Sequence, residues 1–308
     1  MEIILRTALY LDLTALFGLV AFGSHGLRGS DRQSAEAQLL SRSAVVLAFI
    51  GVPLTIASVW LTAATMADVA IDAVDRGSIA DLLWGTAVGT ASLVRLGALV
   101  ITITAASFFA ATKPIASSTI AVLASGIALA TLAWGGHGAM DDGLAGSVHL
   151  IADIVHLLMA GLWIGALVAL TGMLFARHGS TDLEHISMTH RALARFSATG
   201  SIAVAGLVLT GLINSWFLVG SNGALTLAAT TYGRILAVKV MLFCAMLAFA
   251  ARNRFMLVPD LQKSLTIGEG GAIVFRLRSS LALETAIAVV VLMAVAWLGT
   301  LEPPMSAM

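Results

Sequence analysis

The chain has 308 residues, of which 59% are hydrophobic and only 11% are charged, and its formal net charge is zero. A soluble domain of this size would have too few charged residues to cover its surface, so the composition indicates a polytopic membrane protein. The zero net charge gives no electrostatic basis for binding nucleic acid. The single cysteine, Cys244, excludes a disulfide framework and a paired-cysteine metal motif.

Eight apolar runs are long enough to cross a bilayer as helices. We predict transmembrane segments at residues 3–23, 42–65, 93–111, 115–134, 148–176, 195–220, 234–252 and 278–300. The first run continues past residue 20 without a small-residue cleavage site, so we expect a retained helix rather than a signal peptide. The predicted fold is an all-α, multi-pass bundle of eight transmembrane helices.

The distribution of lysine and arginine predicts the orientation of the bundle. One set of alternating loops holds twelve of these residues, and the opposite side holds five. The richer side is expected in the cytoplasm, which places both termini in the periplasm. The connection between spans four and five is then also periplasmic, and it carries His137, Met140 and two aspartates but no lysine or arginine.

A few matching positions predict that the two halves of the chain are related, at a constant offset of 144 residues. The matching positions are Thr86, Gly89 and Arg95 in the first half and Thr230, Gly233 and Lys239 in the second. Four spans per half is an even number, so this predicts two halves of the same topology, related by an axis along the membrane normal. We take residues 1–136 and 137–308 as the two domains. Arg95 and Lys239 are expected to extend to the outer interface or to pair with acids.

The same offset relates two ionisable residues inside the membrane. It carries Asp12 in span one onto His156 in span five. We therefore expect these two side chains at similar depth, facing one another across the axis.

The fifth span carries the most informative polar residues of the chain. His149, Asp153 and His156 have the spacing i, i+4 and i+7, which places all three on one face of a helix. Ionisable residues in a bilayer are costly and normally have a partner or a function. One alternative is that Asp153 only hydrogen-bonds His156 and locks two helices together. Three aligned groups beneath a loop with histidine, methionine and aspartate favour a functional site instead.

Helix geometry limits how these groups can bind an ion. Residues seven apart have Cα atoms about 10.5 Å apart, so His149 and His156 are not expected to hold one ion together. The expected pairs are His149 with Asp153, and His156 with Asp153 or Met159. With His137 and Met140 above them, and Asp12 as a further candidate, they form a descending series of weak metal sites. Imidazole and thioether ligands suit copper better than calcium or magnesium.

The sequence also lacks several motifs. It has no Walker A loop, no aspartyl-phosphate motif and no common hydrolase or kinase signature, so we expect neither an ATP-driven pump nor an enzyme. An inward-moving cation could instead be driven by the membrane potential, which supplies about 2.3 kcal/mol per charge per 100 mV.

Several segments together resemble one family. They are Gly-Gly-His137-Gly, Asp153-Ile-Val-His156, Trp163-Ile-Gly165, Arg195-Phe-Ser, Leu209-Thr-Gly-Leu-Ile-Asn214, Tyr232-Gly-Arg-Ile-Leu-Ala-Val-Lys239, Asn253-Arg-Phe and Gly299-Thr-Leu-Glu-Pro303-Pro304. The chain resembles the copper resistance protein D family (CopD and PcoD, and the membrane domain of YcnJ), most clearly over residues 130–304. The resemblance implies eight spans, a bacterial cytoplasmic-membrane location and copper uptake from the periplasm. It also implies a periplasmic copper carrier of the CopC type as a partner in trans, in addition to membrane lipid.

Two other functions stay open at this level. The protein could be a haem-binding electron carrier with His156 as an axial ligand, which requires a second ligand at matching depth. It could also be a subunit that docks the periplasmic carrier without transporting the ion.

Overall fold

A computed structural model describes residues 1–27, 31, 34–112, 115–136, 143–175, 183–223, 227, 230–267 and 271–302. These residues form ten α-helices and no strand. Their bounds are α1 Glu2–His25, α2 Ala35–Ala67, α3 Arg76–Gly85, α4 Ala87–Thr112, α5 Ile115–Ala130, α6 Gly143–Phe175, α7 Leu183–Gly223, α8 Thr231–Arg252, α9 Val258–Ile267 and α10 Gly271–Leu298. α5 continues into a 3-10 turn over Thr131–Gly135, and a π-helical segment over Asn253–Leu257 joins α8 to α9.

Eight of the helical segments in this described part are long and apolar enough to cross a membrane, which confirms the predicted number of spans. Five of them begin five or more residues before the predicted span, and α2 and α7 show why. α2 begins at Ala35, where the side chain of Ser34 accepts a hydrogen bond from the Ala37 amide and caps the helix. α7 begins at Leu183. Hydropathy locates only the apolar part of a helix, and both helices continue beyond it through polar turns.

The two halves of the chain pack side by side, with α1 and α6 at their centre. α1 contacts α2 and α5 of its own half and also α6 and α10 of the other, whereas α6 packs mainly on α1, α7 and α10. Leu13, Leu16 and Leu99 belong to the apolar core of the first half. The core of the second half surrounds Leu170 and Leu277.

The central helices approach closely because glycines face each other. A Cβ atom added at Gly18 of α1 would lie 2.2 Å from the Gly161 carbonyl oxygen and 2.3 Å from the Gly165 Cα of α6. Small residues allow membrane helices to pack backbone against backbone in this way. The contact fixes the relative depth of α1 and α6, and hence the position of the polar residues one to two turns away.

The helices α4 and α8 begin in the same way, directly after Thr86 and Thr230. The Thr86 hydroxyl accepts a hydrogen bond from the Gly89 amide at 2.9 Å, and the Thr230 hydroxyl accepts one from the Gly233 amide at 3.0 Å. Both glycines lie so close to a preceding carbonyl that a Cβ would collide with it. This agreement is consistent with an internal repeat, which stays a prediction.

A charged cluster ties the connection after α1 to α7. The buried Asp31 carboxylate accepts hydrogen bonds from Arg191 at 2.7 Å and from Arg195 at 3.1 Å, and both arginines are partly exposed. The hydrogen bond from Arg191 is the main reason why the pKa of Asp31 lies below its ordinary value. The cluster therefore stabilises the fold while the carboxylate is ionised.

We expect Asp31→Asn to lower the free energy of unfolding in detergent by about 1–2 kcal/mol, because charge-assisted hydrogen bonds are lost from a partly screened site. The effect is largest above pH of about 4, the ordinary pKa of aspartate, and disappears as the pH falls through the lowered pKa. Asp260→Asn is the control, since its ion pair with Lys263 is exposed and 4.0 Å long. Equal unfolding temperatures for the two variants would contradict this role of Asp31.

Candidate functional site

The polar stripe of α6 faces α7. The ring of His149, which is buried, stacks on Phe217 with 4.8 Å between ring centroids and 8° between planes. One helical turn further along, the Asn214 Nδ2 donates a hydrogen bond to Asp153 Oδ1 at 3.4 Å. The upper part of the stripe is thus enclosed by one aromatic ring and one amide of the neighbouring helix.

The lower part of the stripe continues on the same pair of helices. His156 Nδ1 lies 2.9 Å from the Thr210 hydroxyl. Beneath it, the side chain of Met159 packs on the bare backbone of Gly206, where an added Cβ would lie 2.7 Å from the methionine Cγ and 3.1 Å from its sulfur. The four predicted ligands of α6 therefore form one column along the interface of α6 and α7.

The partners on α7 have the same spacing as the residues that they contact. Thr210, Asn214 and Phe217 are at i, i+4 and i+7, running antiparallel to the α6 stripe. These three residues were not predicted as part of the site, because threonine, asparagine and phenylalanine are common in helix packing. The repeated spacing was the signal that could have revealed them.

The hydrogen bonds of Thr210 determine the tautomer of His156. A hydroxyl has one proton to donate, and Thr210 donates it to the Gly206 carbonyl oxygen at 2.6 Å. His156 Nδ1 must then be the donor in its bond to Thr210, and Nε2 of the neutral imidazole carries the lone pair. Nε2 has no hydrogen-bond partner among the described residues. Thr210 thus orients a metal-ligand nitrogen, as second-shell groups do at metal sites.

Asp153 lies at a junction of polar groups from several helices. Lys239 of α8 and His149 interact electrostatically with its carboxylate, and Tyr232 lies near it. The other carboxylate oxygen, Oδ2, lies beside Gly136, where an added Cβ would be 3.4 Å away. The predicted pairing of Lys239 with an acid is consistent with this arrangement.

The amide of Asn214 adds an unused acceptor at the same point. Its Oδ1 is buried and has no hydrogen-bond partner in the described part of the chain. Such oxygens are uncommon in buried sites and call for a specific reason. A cation bound at Asp153 would supply the missing partner.

The predicted apposition of Asp12 and His156 is not found. The Asp12 carboxylate faces α2 and α4, where its Oδ2 would be 2.8 Å from a Cβ added at Gly51 and where Leu99 packs on the same glycine. His156 faces α7 instead. Both oxygens of Asp12 are buried without a hydrogen-bond partner among the described residues. Asp12 therefore lies outside the column of α6.

The predicted entry residues His137 and Met140 lie outside the described residues. Within the described ranges, no three histidine, cysteine, aspartate or glutamate side chains converge closely enough to hold a metal ion. What these ranges contain is a column of donors spread along one helix.

Comparison with known proteins identifies the family. Residues 1–147 match the N-terminal domain of copper resistance protein D-like proteins, and residues 190–298 match the copper resistance protein D domain. The chain is 40% identical to copper resistance protein D of Pseudomonas syringae pv. tomato over 310 residues, which cover 100% of this chain and 98% of that protein. Most of α6, including the column, lies between the two matched domains.

Two further relatives are more distant. The inner membrane protein YebZ of Escherichia coli K12 is 31% identical over 172 residues, or 56% of this chain and 55% of YebZ. The copper transport protein CutJ of Bacillus subtilis 168 is 31% identical over 119 residues, or 39% of this chain and 21% of CutJ. No solved structure matches this chain.

These similarities and the eight apolar spans characterise a multi-pass protein of the bacterial inner membrane. The full-length match at 40% identity leads to one conclusion. The chain belongs to the copper resistance protein D family.

Proposed function

We propose that this protein carries copper ions across the inner membrane, from the periplasm to the cytoplasm, along the column of α6. The observation that carries the proposal is the orientation of His156. Its hydrogen bond to Thr210 leaves the Nε2 lone pair without a hydrogen-bond partner among the described residues, so that it can bind a metal ion. A neutral imidazole nitrogen is a good ligand for copper and binds no proton that copper would first have to displace.

The path begins on the face of the bundle where α1 begins, which the charge distribution predicts to be periplasmic. His137 and Met140 are the proposed entry, and His149 and Asp153 then capture the ion. Neighbouring donors on α6 are three or four residues apart, so each step moves the ion by about one helical turn.

His156 and Met159 form the lower step of the path, from which the ion leaves toward the cytoplasm. The thioether of Met159 would complement the imidazole as a soft ligand for Cu(I). Lys239 interacts electrostatically with Asp153, so its ammonium group would compete with a bound ion for the carboxylate. This competition favours weak binding with fast release, which conduction requires.

The family name and the printed name of CutJ, a copper transport protein, support copper as the cargo. A periplasmic copper carrier of the CopC type, acting in trans, is the partner that would deliver the ion. Haem is less well supported, because it needs a second axial ligand on another helix at the depth of His156. Asp12, the residue that the 144-residue offset relates to His156, faces Gly51 instead.

We expect Thr210→Val to slow copper transport by about 10- to 100-fold, the effect usual for loss of a group that orients a metal ligand. Valine has nearly the shape of threonine but leaves His156 Nδ1 without its acceptor, so the ring and its tautomer are no longer fixed. Thr210→Ser retains the hydroxyl and is expected to restore most of the rate. The measurement is the initial rate of copper uptake into proteoliposomes, and equal rates for valine and wild type would contradict the proposed role.

The same proteoliposomes separate transport from docking. A transporter moves copper into vesicles under a membrane potential without any carrier, whereas a docking subunit binds the carrier and gives no flux. We expect flux that increases with an inside-negative potential. Normal carrier binding without flux would overturn the proposed function.

A further inference from the structure

A second polar site lies in the first half of the bundle, away from the column of α6. It is a cavity of about 210 Å³ among α1, α2, α4 and the turn after α5, and we refer to it as the arginine cavity. Its polar lining includes Arg6, Tyr10, Ser58, Thr62, Ser92 and Arg95. Each water molecule occupies about 30 Å³ of liquid, so the volume equals that of about seven waters.

Arg95 is the unusual residue of this cavity. Only 5% of it is exposed, although it lies within a transmembrane helix. Its Nε donates to the Thr131 hydroxyl at 2.8 Å and its Nη2 donates to the Thr131 carbonyl oxygen at 3.2 Å. Among the described residues no carboxylate forms an ion pair with it, so the acidic partner, one of the two predicted alternatives for Arg95, is not found there.

A buried cation bonded only to neutral groups is costly unless a charge of opposite sign joins it. Arg95 lines the cavity, and its Nη1 has no hydrogen-bond partner among the described residues. Its remaining donors are therefore available to an occupant of the cavity. A guanidinium is a planar donor that matches the oxygens of a phosphate or carboxylate.

Arg6 places a second guanidinium at the same cavity. It donates to the Gly135 and Gly299 carbonyl oxygens and holds the ends of α5 and α10 together. Among the described lining residues, Glu2 contributes the only carboxylate, and it is exposed and 3.5 Å from Arg6. Two arginines against one exposed acid give the described part of the lining a net positive charge.

We propose that the arginine cavity binds a small oxyanion with the chemistry of a phosphate group. Arg95 binds its oxygens from the buried end, and Arg6 supplies the second positive charge near the opening. The hydroxyls of Ser58 and Thr62 add neutral donors. The occupant is either a free phosphate ion or the phosphate of a lipid headgroup at the membrane surface.

The arginine cavity adjoins the capture site of the column without sharing its ligands. Gly135 lines the cavity, and the next residue, Gly136, lies beside Asp153 Oδ2. Tyr10 also lines the cavity and interacts electrostatically with Arg6, Arg95 and Asp153. Binding of an anion is thus a property of the first half that can be measured without copper. It does not depend on the proposed transport function.

The test is binding of inorganic phosphate to the purified, delipidated full-length protein, measured by calorimetry in phosphate-free buffer. Arg95→Gln is expected to weaken binding at least about tenfold, because it removes a charge-assisted pair. Ser58→Leu is also expected to weaken phosphate binding, because the larger side chain fills the cavity from α2 while Arg95 is retained. If Arg95→Gln does not fold, the binding measured for Ser58→Leu tests the proposal. Arg76→Gln, an exposed arginine on α3, is the matched control and should bind as wild type does.

A second arm replaces phosphate with dihexanoyl phosphatidic acid, a short-chain lipid. Binding of phosphate with the expected dependence on the variants supports a free oxyanion as occupant. Binding of the lipid alone, with the same dependence, supports the headgroup. Binding of neither by the wild-type protein, or binding that Ser58→Leu leaves unchanged, overturns the proposal.

Discussion

Cells that express the His149→Ala/His156→Ala double variant should accumulate copper at least about tenfold more slowly than cells with the wild-type protein. The double substitution removes both imidazoles of the column, leaving Asp153 and Met159 as its only donors on α6. A carboxylate shared with Lys239 and a single thioether do not make a continuous path for a soft cation. Copper content is measured by elemental analysis after a short exposure, at matched protein levels in the membrane.

The control for this variant is His25→Ala, which removes an exposed imidazole at the C-terminal end of α1, outside the column of α6. It should accumulate copper at the wild-type rate. The single variants are also informative, because His156 has its tautomer fixed by Thr210 whereas His149 is stacked on Phe217. Unchanged accumulation in the double variant at normal expression would contradict the copper path.

The second large effect is expected at the crossing of α1 and α6. Gly18→Ala should lower the free energy of unfolding by about 3 kcal/mol or more, at the upper end of the usual cost of overpacking. The added methyl group would lie 2.2 Å from the Gly161 carbonyl oxygen and 2.3 Å from the Gly165 Cα, and both of these are backbone atoms. Unlike a flexible side chain, they move only if the two helices separate.

Gly23→Ala is a closely matched control for this substitution. Gly23 lies on the same helix, and a Cβ added there has no atom within 4 Å. Alanine is also the better helix former, so this variant should be as stable as wild type or slightly more so. Thermal unfolding in detergent and the yield of folded protein measure both. A Gly18→Ala protein as stable as Gly23→Ala would show that the crossing is looser than the structure describes.

The number of spans could be predicted from sequence because hydropathy alone determines it. The helix ends could not, since α2 and α7 begin in polar turns that hydropathy does not register. The orientation of α1 about its own axis could not be predicted either. Apolar residues surround Asp12 on every side of the helix, so only packing against Gly51 and Leu99 reveals which way the carboxylate points.

The candidate site was predicted on one helix and missed on the other. Histidine and aspartate are conspicuous in an apolar segment, and their i, i+4, i+7 spacing was sufficient to predict a common face for His149, Asp153 and His156. Asn214 and Thr210 are ordinary in membrane helices, and their contribution depends on which helix lies opposite. That information is tertiary: it follows from the packing of α6 on α7.

The surroundings of Arg95 also depend on tertiary packing and could not be predicted from its position in the sequence. Its position in a span predicted either an extended side chain at the interface or an acidic partner. The structure shows a buried guanidinium held by Thr131 on the turn after α5. A cavity cannot be predicted from one sequence, because the atoms that leave it open come from several helices.

Metal analysis together with an absorption spectrum, on purified wild-type protein beside His156→Ala, tests the central claim most directly. The copper path predicts bound copper in the wild-type protein, less copper in the variant, and no Soret band in either. A haem spectrum that disappears in the variant would contradict this account and make the protein an electron carrier. Equal copper content in the two proteins would also contradict it, because it would show that His156 does not bind the ion.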